Sequence, residues 1–197
     1  MSDYSVIADL GDSLVSILFS ELNADPQISG LIDSEDRISL DSPADLENNS
    51  SVRLSMYLYR IVEDPYMKNR FPIEGTGGKQ RKPPLTLDLY YLLTPLVGTP
   101  REQQIVLGKT MQILYDRTIL ESSDLSGALG ASGEEIRLIL NSVSLEELTR
   151  VWQALEIPYR LSVCYIARVV IVDSQQEQFG QPIVYRKVTY GTFQPQG

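Results

Sequence analysis

The chain has 197 residues, 43% of them apolar and 22% charged, with a net charge of −9. That is enough for one domain with a real core and short for two. The complete absence of histidine and the single cysteine, Cys164, remove Ser-His-Asp and Cys-His catalysis, multi-cysteine metal sites and any internal disulfide.

Residues 1–20 carry neither a basic n-region nor a small-residue cleavage site, which sets the expectation of cytoplasmic synthesis and assembly. No apolar run reaches the roughly 18 residues needed to span a bilayer, so direct membrane insertion is not expected. Val6, Ile7, Leu10, Leu14, Ile17, Leu18 and Leu22 form the stripe of an amphipathic helix over 6–22. Gly11 weakens that helix by about 1 kcal/mol relative to alanine. From Asn23 to Ser51 the chain is polar and acidic, with one strand-like piece at Arg37–Leu40. Val52–Glu63 reads as a strand with Leu54, Met56, Leu58 and Val62 on one face. Tyr57, Tyr59 and Ile61 take the other face, which predicts cover on both sides after assembly. Asp64–Pro84, broken by Pro65, Pro72, Gly75, Gly77 and Gly78, reads as a long loop of a length that marks either a mobile segment or a contact element.

Leu85–Leu93 is the clearest strand in the chain. Leu85, Leu87, Leu89, Tyr91 and Leu93 share one apolar face. Pro83 and Pro84 cannot donate ladder hydrogen bonds, so the strand should begin after them. The opposite face, with Thr86, Asp88 and Tyr90, is mixed, which predicts a sheet covered mainly on one side. Glu102–Asp116 has helical spacing, and Pro100 and Glu102 suit its first turn. Ile136–Leu140 reads as a short strand. Ser144 and Glu147 form a capping-box pattern that opens a helix over 145–155, with Trp152 on its core stripe. Leu161–Val172 is nearly continuous apolar sequence, a central strand in which Cys164 is a buried hydrophobe. Beyond the Asp173–Gln181 link, Pro182–Tyr190 alternates like a hairpin partner. The element order predicts an α+β fold, with helices packed on a mostly antiparallel mixed sheet. Residues 1–197 are expected to form one domain, with 175–197 a C-terminal strand or arm.

No chemical motif survives inspection. Gly75-Thr76-Gly77-Gly78-Lys79 lacks the first glycine and the final Ser or Thr of a phosphate loop, where Ile73 and Gln80 stand. The acidic residues between 33 and 47 lack the spacing and central glycine of a calcium loop. The expectation is therefore no cofactor, no metal and no catalytic residue. The acidic balance speaks against a sequence-independent grip on nucleic acid. Charge distribution is more telling. Glu21, Asp25, Asp33, Glu35, Asp36, Asp41, Asp45 and Glu47 face only Arg37, a net of −7 over residues 21–47. Lys68, Arg70, Lys79, Arg81 and Lys82 outweigh Glu63, Asp64 and Glu74 over 63–82. Opposite patches on one subunit suit a head-to-tail ring, which makes those five basic residues interface candidates; two solvated loops are the plain alternative. A small ligand-binding or enzymatic domain using Tyr57, Tyr59, Asp88 and Tyr90 is the competing functional reading.

The Leu85–Leu93 block occurs together with Met56-Tyr57-Leu58-Tyr59, Ser144-Leu145-Glu146-Glu147-Leu148, Trp152 and Pro158-Tyr159-Arg160-Leu161-Ser162-Val163. In this combination the chain resembles the Pvc16-type cap family, the tail terminators of contractile injection systems. The resemblance extends from residue 1 to about residue 174. It implies a tail-terminator-like fold and a structural role, without enzyme activity. The implied assembly is a homo-hexameric ring that ends tube and sheath polymerisation and joins the last sheath layer to the tube. Its partners would be the inner tube protein and the sheath protein, in a particle that is free, membrane-associated or released. On the same resemblance, the strand carrying Tyr185, Arg186, Lys187 and Tyr190 is expected at or beside the surface engaged by the sheath. An ordinary hairpin strand within the domain is the alternative.

Overall fold

The strand that follows Pro83 and Pro84 lies at the middle of the principal sheet. In the computed structural model it runs Leu85–Pro95 and pairs antiparallel with Leu54–Glu63 on one side and Val163–Val172 on the other. The structure describes residues 4–65, 73–74, 79–96, 98–174 and 177–179, with the backbone alone at 73–74, 79–81, 169 and 177–179. In chain order the elements are α1 (Val6–Ala24), β1 (Ile38–Ser39), β2 (Leu54–Glu63), β3 (Ile73–Glu74), β4 (Lys79–Arg81) and β5 (Leu85–Pro95). There follow α2 (Pro100–Asp116), β6 (Ile119–Leu120), α3 (Gly127–Gly130), β7 (Ile136–Asn141), α4 (Leu145–Ala154), β8 (Val163–Val172) and β9 (Glu177–Phe179).

These elements fall into two compact units, residues 1–69 with 84–173, and residues 70–83 with 174–197. The first holds a six-stranded sheet ordered β1-β2-β5-β8-β7-β6. Its neighbours are antiparallel except for the parallel β1–β2 pair. The second holds a three-stranded antiparallel sheet ordered β3-β4-β9.

One face of the six-stranded sheet carries Leu87, Leu89, Tyr91 and Leu93 of β5, packed with the α1 stripe and with Val106, Leu107, Ile113 and Leu114 of α2. Val6, Leu10, Leu14, Leu18 and Leu22 of α1 are all buried. At roughly 1.5–3 kcal/mol each, their burial outweighs the cost of Gly11 several times over. Gly11 also has a spatial role: a Cβ there would stand 2.9 Å from the Leu40 side chain, so the glycine lets α1 approach the chain just after β1. Both long late helices open on capping boxes. Thr99 Oγ1 accepts from Glu102 N at 3.3 Å, and Ser144 Oγ accepts from Glu147 N at 3.2 Å. Each glutamate in turn accepts from the backbone N–H of its N-cap residue, at 2.9 and 3.0 Å.

The structure corrects four expectations. The second face of β5 is not a half-exposed mixed face: Leu92 is fully buried with Leu148 and Trp152 of α4 and Cys164 of β8, and Thr86 and Asp88 are buried as well. The sheet is therefore helix-covered on both faces. In β2 a bulge at Tyr59–Arg60 shifts the register, since Leu58 faces Tyr91 and Arg60 faces Tyr90. The extra residue reverses the alternation, so Ile61 joins the Leu89 face and Val62 lies opposite Asp88. The 64–84 segment is not wholly loop but contributes β3 and β4, and the link after Asp173 contains β9. These strands, like β6 and α3, span only two to four residues, too short to show a period in sequence. The predicted strand 182–190 lies outside the described residues.

Candidate interaction surfaces

On the α4 side of the sheet a groove of about 630 Å³ opens between the helix and the strands. Glu147, Leu148, Val151 and Ala154 of α4 form one wall, and Tyr59, Tyr90 and Cys164 the other. Tyr59 and Tyr90 meet edge to face, 6.2 Å between centroids, and the Arg60 guanidinium lies 5.1 Å from the Tyr90 centroid. This is a packed aromatic and cation–π arrangement. Desolvation pushes the Tyr59 phenol far above the usual range, and the neighbouring Cys164 adds to the rise. Burial likewise raises the Cys164 thiol, against a smaller opposing effect of the Tyr59 hydrogen bond. Both groups are neutral near pH 7, and a neutral buried thiol is a poor nucleophile.

The tyrosine and carboxylate cluster proposed from sequence is not assembled as a reactive site. Asp88 is buried, and its Oδ1 accepts from Arg168 Nε at 3.3 Å, while Arg168 Nη2 reaches the equally buried Asp64 at 3.4 Å. The guanidinium pKa is raised, first by the Asp88 charge and also by Asp64. A carboxylate buried in an ion pair with Arg168 is turned toward that guanidinium and not toward a bound molecule. Arg150 is bound to Glu146 at 2.6 Å, and Glu147 is engaged in capping Ser144. Among the described residues no group of three His, Cys, Asp or Glu side chains could hold a metal ion.

A second groove, about 600 Å³ and more apolar, lies on the other face between α2 and β7. Met111 and Tyr115 of α2 and Leu138 and Leu140 of β7 line it, with Tyr165 at its inner side. Tyr115 is 78% exposed and Leu140 45%. Sequence reasoning missed this surface, although a signal was present. Ile136, Leu138, Ile139 and Leu140 are too many apolar residues for a strand with one buried face, and Ile139 falls on the opposite face from Leu138 and Leu140.

Of the basic interface candidates, Lys82 is exposed. Lys68 and Arg70, like Tyr185, Arg186, Lys187 and Tyr190, lie outside the described residues, as do the side chains of Lys79 and Arg81. The acidic 21–47 segment is partly neutralised by its own chain. Glu21 pairs with Arg117 at 2.6 Å, Asp25 with Lys109 at 3.5 Å, Asp33 with Arg37 at 2.7 Å and Glu47 with Arg160 at 4.0 Å. Asp41 and Asp45 accept from Ser39 and Ser42, and Glu35 accepts from Ser16.

No curated protein matches this sequence. The sequence pattern that defines the Pvc16 N-terminal domain matches residues 10–186, most of the chain. The chain belongs to the Pvc16 N-terminal domain family. As a member of that family it is similar to the sheath/tube terminator of PVC, an extracellular contractile injection system, in its extended state. The identity is 18%, the TM-score 0.62, and the match covers 98% of this chain and 65% of that one. It is also similar to the tube-terminating cap of the anti-feeding prophage, at 19% identity and TM-score 0.58, covering 93% of this chain and 61% of the other. The Pvc16-type chain described here thus spans a little under two-thirds of the length of the structures it matches. The likeness is one of fold: helices on a mixed, mostly antiparallel sheet.

Proposed function

We propose that this protein is a structural cap, a tail terminator that ends tube and sheath polymerisation in a contractile injection particle and fastens the last sheath layer to the tube. The observation that carries this reading is the match of 98% of the chain to the fold of a sheath/tube terminator, supported by membership of the Pvc16 N-terminal domain family. The absence of a poised acid, base or nucleophile around Tyr59, Asp88 and Tyr90 agrees with a role that needs no catalysis. The cap acts as a closed ring, six-fold to match the tail, with the inner tube protein below it and the sheath protein around it. Lys68, Arg70, Lys79, Arg81 and Lys82 are assigned to the contact with the acidic 21–47 segment of a neighbour. Tyr185, Arg186, Lys187 and Tyr190 are assigned to the sheath-facing side. Particles imaged from a strain lacking the protein test the reading. Expected are tubes and sheaths of broadly scattered length, with sheaths detached at the distal end. A sharp, wild-type length distribution with intact distal ends sinks it.

A further inference from the structure

Among the described residues, both outer edges of the six-stranded sheet are covered for only part of their length. β1 pairs with β2 only at Leu54 and Ser55, whereas β2 continues to Glu63. At the far edge β6 pairs with β7 only at Ile136 and Arg137, whereas β7 continues to Asn141. Leu138 N–H turns outward to Thr118 O at 2.8 Å. Antiparallel alternation then points the backbone N–H and C=O of Leu140 outward too, past the end of β6. An uncovered edge of this kind is a template for another strand.

The apolar faces of the two edges agree. On β2, Leu58 and Ile61 lie opposite Tyr91 and Leu89, on the α1–α2 side of the sheet, and Ile61 is left 48% exposed. On β7, Leu138 and Leu140 lie opposite Ala167 and Tyr165, on that same side. There the groove under Met111 and Tyr115 stands open beside Leu140. One edge thus presents Ile61 half exposed beside a Leu58 packed on its own core, and the other presents, among the described residues, cover without a strand to fill it.

Strand direction is compatible as well. The successive antiparallel pairs β2–β5, β5–β8 and β8–β7 make β7 run opposite to β2. Continuing the sheet from one copy into the next therefore sets β7 of one beside β2 of the other as an antiparallel pair. β6 occupies the start of β7 and β1 the start of β2. In an antiparallel pair these lie at opposite ends and leave the window between them free.

We propose that the subunit contact of this protein is the antiparallel addition of β2 from one copy to the β7 edge of the next, with Ile61 entering the groove of Met111, Tyr115 and Leu140. The contact joins two different surfaces, so it is heterologous and propagates around a closed ring. It rests on the ring reading above and names the surfaces that make it.

The test uses the full chain with Ile61→Cys and Leu140→Cys combined. The native Cys164 is 2% exposed and stays silent. Mild oxidation is expected to give a ladder of disulfide-linked multimers on denaturing gels for the double variant and none for either single variant. Leu140→Pro removes an outward-pointing N–H, fixes φ at an edge position and takes the Leu140 side chain out of the groove, and it is expected to keep the circular dichroism of the wild type while weakening assembly about tenfold or more in sedimentation. Ile61→Lys, at the opposite edge, takes its place if the proline variant unfolds. A wild-type ring that the cysteine pair fails to cross-link, or that the folded edge variants leave intact, overturns the edge assignment while leaving the ring reading standing. The β7 edge would then be open to an extended segment of the tube or sheath protein. A wild-type chain that forms no oligomer, alone or on particles, overturns both.

Discussion

Several residues that look ordinary in sequence are fixed by a single distant contact. Asp9 sits in the first turn of α1, yet its carboxylate accepts the backbone N–H of Ala128 at 2.9 Å, capping the four-residue α3 from 119 residues away in the chain. Ser13 completes the junction, accepting from Ser126 N at 2.9 Å and donating to Asp9 O at 2.6 Å. Gly127 makes this approach possible. Its φ is +62°, and a Cβ there would fall 2.6 Å from the Asp9 carboxylate. A left-handed alanine costs about 1–2 kcal/mol before any clash, and the carboxylate would have to give up its cap to relieve the overlap. Gly127→Ala is therefore expected to destabilise the protein by about 2 kcal/mol or more, as a lowered urea midpoint with unchanged slope. An unchanged midpoint would show that α3 docks without the Asp9 contact.

At the scale of elements, what could be read from the chain was what repeats locally. The period-2 run Leu85–Leu93, the α1 stripe and the Ser144–Glu147 box each lie within one window, and each became the expected strand, helix and cap. The bulge in β2 did not, because one extra residue leaves no local mark and reverses the face of everything after it. The double cover of β5 was also hidden: Leu92 is buried only because Leu148 and Trp152, more than fifty residues later, lie over it. The Asp88–Arg168 pair joins residues 80 apart and likewise has no sequence signature. The capping boxes yield a pH prediction. Hydrogen bonds from Thr99 hold the Glu102 carboxyl below its ordinary range, and those from Ser144 do the same for Glu147. A lowered folded-state pKa gives stability that is complete above the unfolded value, near 4.3, and is lost as pH falls through the folded value. Thermal midpoints are thus expected to drop as pH is lowered from about 5 to below 4. Glu147→Gln should reduce the pH-dependent part of that drop. A variant whose pH profile parallels the wild type would show that Glu147 contributes nothing through its charge. Ser144→Ala is expected to cost about 1 kcal/mol near neutral pH.

At the scale of the whole molecule, charge alone is a weak basis for the proposed ring contact. Four of the eight acidic residues between 21 and 47 are already ion-paired within the chain, and exposed pairs contribute little to association. In the proposed ring, the apolar edges of β2 and β7 would offer a driving force that salt does not screen, and the basic residues of 63–82 would add attraction at longer range and selection of orientation. Reversing Arg81 and Lys82 together to glutamate is expected to weaken assembly about tenfold at low salt, through lost attraction and new repulsion. The gap between variant and wild type should then close as ionic strength rises, because the Debye length falls from about 30 Å at 0.01 M to about 8 Å at 0.15 M. Sedimentation across a salt series measures this directly. Equal association at every salt concentration would remove the loop from the subunit contact. A gap that persists at high salt would mean that Arg81 and Lys82 act through close, water-excluded contacts instead of long-range steering, and therefore lie within the interface itself and not at its rim.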